Sequence, residues 1–217
     1  MDEFLSIINQ LQGSSISSQW LDLLELYNDI DQHSHLFTTT LDISCPPSCG
    51  TCCEHFIPDV TYLEGSLIAA YLLFIKKDAS LISLMDPTYE GEGCPLYNKE
   101  EAYHCQIYPV RTMVCRLFGA APSKTKYNTP IFRKCKYNSD ASQKSLIESG
   151  EIIEKVKEIQ TMQDASSRLN SLVLDTSTTS LPDAVHTAIN HLSFIASYLS
   201  VKEDPLDRPD PSSPVAV

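Results

Sequence analysis

The chain has 217 residues, 42% of them hydrophobic and 20% charged, enough for one domain with a core of its own. Its formal net charge of −12 argues against nucleic acid as a general partner. Met1-Asp2-Glu3-Phe4 has neither a basic n-region nor an apolar h-region, and the longest apolar run, Leu67 to Ile75, is nine residues, far short of the roughly 20 that span a bilayer. The expectation is a soluble, cytoplasmic protein with no membrane partner, in a compartment that keeps thiols reduced.

The first predicted element is a helix. Trp20, Leu23, Leu24, Tyr27 and Ile30 recur at three- and four-residue spacing, Ser17 or Ser18 can cap it, and the polar His33-Ser34-His35 is expected to end it. Cys45 to Cys53 should be a loop, because Pro46, Pro47 and Gly50 exclude regular helix. Thr61-Tyr62-Leu63-Glu64 is a capping box ahead of the apolar run and predicts a helix over about 61–77. Leu81 to Met85 suggests a short turn of helix, and Pro87, Gly91 and Gly93 mark a loop. The region 94–136 reads as irregular.

Two strong helices follow. Ile152, Val156, Ile159, Met162, Ala165, Leu169 and Leu172 share one helical stripe, with Glu151–Lys155 as an outward pair. Ser180-Leu-Pro-Asp183 opens the other, with Val185, Ala188, Leu192, Ile195 and Leu199 on one face. Residues 200–217 hold four prolines and no helical pattern, so a disordered tail is expected. The fold class predicted is mainly α, with helices around an irregular, metal-stapled, cysteine-rich core and little β. The expected regions are 1–36 (N-terminal helical segment), 37–140 (cysteine-cluster metal-binding domain), 141–199 (C-terminal helical pair packing on it) and 200–217 (tail).

The chemistry lies in the cysteines. All eight fall between Cys45 and Cys135, and four crowd into Cys45-Pro-Pro-Ser-Cys49-Gly-Thr-Cys52-Cys53. Thiolates this close repel one another unless a cation neutralises them. Cys49-x2-Cys52 has the spacing by which one tight turn supplies two zinc ligands, and iron–sulfur clusters use the same kind of run. Cys94, Cys105, Cys115 and Cys135 can supply the rest, as one four-thiolate site with spare thiols or as two. Consecutive Cys52 and Cys53 cannot point the same way from an extended backbone, so they serve two sites or one faces away. The metal ligands predicted are therefore Cys45, Cys49, Cys52, Cys53, Cys94, Cys105, Cys115 and Cys135, the cofactor is zinc or iron, including a 4Fe–4S cluster, and a protein partner is a further expectation.

From Ala102 to Ser139 there is no Asp or Glu but seven basic residues, among them Arg111, Arg116 and Lys124. This stretch either docks on acidic helices, offsets the charge of a thiolate cluster, or receives an anionic partner. His55 and His104 lie beside cysteines and could replace a thiolate. His186 and His191, about 140° apart on a helix, do not form a chelating pair.

The ordered set Cys49-Gly-Thr-Cys52-Cys53, Gly93-Cys94-Pro95-Leu96, Cys105-Gln-Ile-Tyr108 and Arg111-Thr-Met-Val-Cys115-Arg116-Leu-Phe118 resembles the YkgJ-type cysteine-cluster family, over about Ile43 to Asn138. Members are described as zinc- or iron-chelating or iron–sulfur-containing proteins, and a related cluster occurs in flagellin lysine methylases. Two positions depart from the family pattern: three residues instead of two separate Cys45 from Cys49, and Thr112 stands where proline is usual. The latter is expected to alter loop stiffness only. The resemblance implies metal binding. An iron–sulfur enzyme related to the lysine methylases, or a protein-interaction module with a purely structural metal, are the alternatives. Cys45-x3-Cys49-x2-Cys52 also has the spacing of radical S-adenosylmethionine enzymes, but Thr51 replaces their aromatic residue and no alternation of strands and helices follows.

Overall fold

The computed structural model describes residues 1–10, 15–45, 49–101, 103–135 and 145–200, the side chains at 10 and 195–200 aside. The expected loop prolines Pro46 and Pro47, and the tail beyond Ser200, lie outside the described residues. Helix dominates. α1 (Asp2–Gln10) and α2 (Ser15–Thr40) are followed by a single turn, α3 (Thr51–Glu54), then strand β1 (Asp59–Thr61) and helix α4 (Tyr62–Tyr71). α5 (Ala79–Ser83) and α6 (Met113–Leu117) bracket the irregular region. Strands β2 (Ser123–Lys124), β3 (Pro130–Arg133) and β4 (Leu146–Ile147) lead to α7 (Ser149–Lys155) and α8 (Met162–Leu172), and β5 (Thr178–Ser180) to α9 (Leu181–Ser200). β1 pairs antiparallel with β5, Val60 opposite Thr179, and β2-β3-β4 form a small antiparallel sheet.

The capping box forms as predicted. The Thr61 hydroxyl accepts from the Glu64 amide, and the Glu64 carboxylate accepts from the Thr61 amide. Every residue from Leu63 to Tyr71 is buried, because α4 is central, packed between α2 and α9. One wider π-helical turn, Leu72–Lys76, ends it at left-handed Lys77. Trp20 of α2 donates its indole N–H to Ser66 at 2.8 Å, so the largest core side chain arrives with its polar atom satisfied.

Glu64 does more than cap its own helix. It is 3% exposed, and besides Thr61 it accepts from the Tyr27 hydroxyl of α2 at 3.0 Å and from the Met113 amide at the start of α6 at 2.9 Å. One buried carboxylate thus joins three helices with its lone pairs filled. Tyr27 ionises well above the usual tyrosine range, first because it is buried and next because Glu64 is negative.

Two predicted boundaries are corrected. α2 does not stop at His33-Ser34-His35 but continues to Thr40. Phe37 and Leu41 lie buried in a second apolar cluster with Ile43, Phe132, Ile147, Ile152 and Val156, and this packing outweighs the polar run. The predicted helix over Ile152 to Leu172 is two, α7 and α8, broken between Val156 and Thr161. The break is a second capping box: Thr161 accepts from the Asp164 amide, while Asp164 accepts from Thr161 and from Lys124 Nζ. Ile152 and Val156 serve the second cluster, whereas Ala165 and Leu169 serve the main one, so the single stripe belongs to two cores. The Glu151–Lys155 pair is present at 2.9 Å.

Glu64→Ala leaves the Tyr27 hydroxyl and the Met113 amide without their acceptor, and we expect a loss of about 3–5 kcal/mol in urea denaturation. Glu64→Gln retains one carbonyl oxygen and should lose less.

Candidate metal centre

Seven of the eight cysteines, Cys45, Cys49, Cys52, Cys53, Cys94, Cys105 and Cys115, line one cavity of about 340 Å³. Cys135 does not. It lines a separate hollow with Phe118, Ser123, Phe132 and Met162. None of the eight forms a disulfide.

Three pieces of chain build the cavity. The first is α3. Its helical backbone sets consecutive residues about 100° apart rather than opposed, and the Cys52 and Cys53 sulfurs stand 3.9 Å from each other on the same cavity. The expectation of divergence applies to an extended backbone, and the chain here is a helical turn. The second piece is the loop 93–105. The Cys94 amide donates to the Cys53 carbonyl at 2.8 Å, and the Tyr97 hydroxyl donates to Glu54 at 2.9 Å, tying the loop to α3. Tyr97 bridges to Cys105 and the Gln106 amide donates to the Leu96 carbonyl, which closes the loop and returns Cys105 beside Cys94. Gly93 permits this docking: a Cβ there would sit 2.3 Å from the Glu54 carbonyl oxygen. At Gly50 a Cβ would meet the Tyr97 ring at 2.5 Å.

The third piece is α6. Thr112 opens it, wholly buried, and its hydroxyl donates to the Cys115 sulfur at 3.2 Å. The residue that departs from the family pattern therefore does more than change loop stiffness: it reaches a candidate ligand. The sequence shows a hydroxyl three residues before a cysteine, but the segment reads as irregular, and only the helical turn of α6 brings the two together. α6 is held by Glu64 at its amide end and by Arg116. Arg116 is 6% exposed, donates to the Arg111 and Pro109 carbonyls at 3.0 and 2.7 Å, pairs with Asp31 of α2 and lies 4.3 Å over the Tyr27 ring. The acid-free stretch thus docks on acidic helices at three points, Arg111 and Arg116 on Asp31 and Lys124 on Asp164.

Arg111 and Arg116 line the cavity, and among the described residues no carboxylate does. Burial pushes Cys94 up to about 12 and Cys115 up to about 11 and raises Cys105, with neighbouring thiols adding to each and the Thr112 hydroxyl opposing at Cys115. Within the α3 pair, hydrogen bonding from Cys53 lowers Cys52 and raises Cys53. The donor set suits a soft metal. The sulfurs stand around the wall rather than at a common point: among the described residues, no group of three or more His, Cys, Asp or Glu side chains is close enough to hold an ion as placed. Coordination by several of them requires the side chains to turn inward.

His104 sits in the left-handed region and packs its ring on Tyr97, and His55 is exposed; neither lines the cavity. His186 and His191 are separate, one at the Met85 carbonyl and the other at the Tyr62 hydroxyl. Phe56, Tyr103, Tyr108 and Phe118 rim the cavity, and of these the exposed Phe56 and Tyr103 carried no signal in the sequence. Among the described residues, no helix is long and apolar enough to cross a membrane.

Residues 44–138 match the model of the CxxCxxCC family, described as a putative zinc- or iron-chelating domain. No curated protein and no solved structure is detectably similar to the chain. The matched segment carries all three cysteine-bearing pieces of the cavity and coincides with the span of the motif resemblance.

Gly93→Ala forces the 93–94 loop off α3; we expect about 1–3 kcal/mol of destabilisation together with weaker metal uptake, read by denaturation and by zinc titration. The raised thiols set a pH dependence. Cys94 and Cys115 ionise near 12 and 11 when folded but near about 8.5 when unfolded. The folded chain therefore holds more protons between those values. The stability they contribute is complete below about pH 8.5 and is lost as pH rises towards 11. Metal-free protein should melt lower at pH 9.5 than at pH 7.5, and bound zinc, which takes thiolates, should shrink that difference.

Proposed function

We propose that the chain binds zinc or iron through thiolates gathered from the 49–53 segment that contains α3, the 93–105 loop and α6. The observation that carries this reading is the convergence of seven cysteines from three separate segments on one cavity with no carboxylate among its described lining residues. The family described as zinc- or iron-chelating supports the same reading. The ligands proposed are Cys49, Cys52, Cys94, Cys105 and Cys115, with Cys45 and Cys53 on the same wall. Cys135, in its own hollow, is proposed as a non-ligand. When bound, the metal holds thiols that burial otherwise keeps protonated in the ionised form and ties together a region of little regular structure. Reducing conditions, as in the cytoplasm, suit a site of this kind.

A second reading, a centre that acts on a ligand rather than a closed structural site, is favoured by one feature: the cavity is open to solvent at an aromatic mouth. Structural zinc sites are closed, whereas reactive ones keep a position free. The resemblance to flagellin lysine methylases and an iron–sulfur cluster belong to this reading. The alternative of a purely structural metal in an interaction module would call for a sealed site.

Anaerobic purification followed by zinc and iron analysis tests the proposal. We expect bound metal, colourless for zinc and coloured for an iron–sulfur cluster, with several thiols protected from alkylation until a chelator is added. Cys94→Ser and Cys115→Ser should weaken binding by more than the about 10–100-fold typical of an outer-shell partner, and Cys135→Ser should retain it. Absence of both metals with all eight thiols reactive would overturn the reading.

A further inference from the structure

The mouth of the cysteine cavity is built from two stacked aromatic pairs and one arginine. Phe56 and Phe118 stack with centroids 6.4 Å apart, and Tyr103 and Tyr108 with centroids 4.3 Å apart. These four rings are between 37% and 63% exposed, an unusual concentration of apolar surface around one opening. The Arg111 guanidinium lies 3.9 Å over the Tyr108 ring. Tyr103 and Arg111 both stack this closely on Tyr108, so they occupy its opposite faces. Asp31 takes one Arg111 amino group at 3.3 Å. The guanidinium is held in place, and its Nε and second amino group have no hydrogen-bond partner among the described residues.

A fixed guanidinium with a free edge is a ready receptor for a carboxylate or another planar oxyanion. The surroundings narrow the choice. Arg116, the other cavity arginine, has each of its three nitrogens engaged, with two carbonyls and Asp31. Arg111 and Arg116 share Asp31, so the three groups together carry one net positive charge, which matches a monoanion better than a phosphate dianion. The volume, about 340 Å³, is at the small end of ligand cavities, and the rim offers four ring faces together with the Tyr103 and Tyr108 hydroxyls.

We infer that this cavity is a binding site for a small organic monocarboxylate with an apolar or aromatic body, its carboxylate on the free edge of Arg111 and its body along the aromatic rim. The site stands on the rim and Arg111 and does not depend on which ion the sulfurs hold. Neither Arg111 nor Phe118 is among the proposed metal ligands.

The probe is 2-naphthoate, with neutral 2-naphthylmethanol as its control, titrated by fluorescence anisotropy into the protein as purified and into Arg111→Gln and Phe118→Ala. Zinc and iron are measured on the same samples, so that loss of metal is seen separately from loss of probe binding. Saturable one-to-one binding of naphthoate is expected, weakened about 10-fold or more in Arg111→Gln, as for loss of a charge-assisted hydrogen bond. Phe118→Ala should also bind less tightly, and the alcohol should bind at least about 10-fold more weakly than the acid. Absence of naphthoate binding, equal binding of acid and alcohol to the unmutated protein, or unchanged affinity in both variants would overturn the inference. The alcohol control and Phe118→Ala, an exposed substitution, keep the test decisive if Arg111→Gln does not fold.

Discussion

A single buried carboxylate connects the helical scaffold to the cysteine-bearing region. Glu64 lies on the central helix α4, takes the Tyr27 hydroxyl of α2 on one side and receives the Met113 amide at the start of α6. The chain of contacts continues. Arg116 stacks on the Tyr27 ring and pairs with Asp31, so that an acid, a phenol, a guanidinium and a second acid follow in sequence between α4 and α2. Each buried polar group in that chain has a partner, which makes the network stabilising rather than costly. Cys115 sits one turn into the helix so anchored. The backbone that carries it is therefore placed by a network that runs from the core to Arg116 on the cavity wall.

The remaining sulfurs depend on weaker fastenings. The 93–105 loop is attached to α3 by a backbone hydrogen bond, a tyrosine hydroxyl, the Lys99–Glu54 ion pair and a close approach at Gly93. Leu96 and Ile107 anchor the loop in the main core, and metal bound to its thiols would add folding free energy to a region of little regular structure. Burial holds the thiols at Cys94, Cys105 and Cys115 protonated, while Arg111 and Arg116 supply positive charge where thiolates would develop. The balance is poised: the metal-free site keeps its protons, and a soft cation displaces them. Thr112 belongs to this balance, since its hydroxyl donates to the Cys115 sulfur instead of capping α6.

The features legible in the sequence were those set by local chemistry. Thr61 and Glu64 announced their helix because a capping box is a contact between residues three apart, and Ser180-Leu-Pro-Asp183 announced α9 in the same way. The grouping of the cysteines was also legible, from spacing and from the order of the motifs. Features set at long range were hidden. Nothing local to His33-Ser34-His35 reveals that Phe37 will pack on Phe132, which carries α2 onward. The stripe from Ile152 to Leu172 has the periodicity of one helix because periodicity does not record which core each residue faces. Glu64 looked fully explained by its cap, so its contacts to α2 and α6 were masked by a sufficient local role. Cys135 resembled the other cysteines in sequence, but it follows β3 and lines a separate hollow.

X-ray absorption at the edge of the bound metal tests the central claim most directly. If the sulfurs of α3, the 93–105 loop and α6 gather on one ion, the spectrum of zinc-loaded protein contains a shell of three or more sulfurs at about 2.3 Å. Cys115→Ser, in which Glu64 still holds α6 in place, should then lose one sulfur from that shell. A shell of nitrogen and oxygen alone, or one unchanged by substituting Cys52, Cys94, Cys105 and Cys115 in turn, would contradict the account.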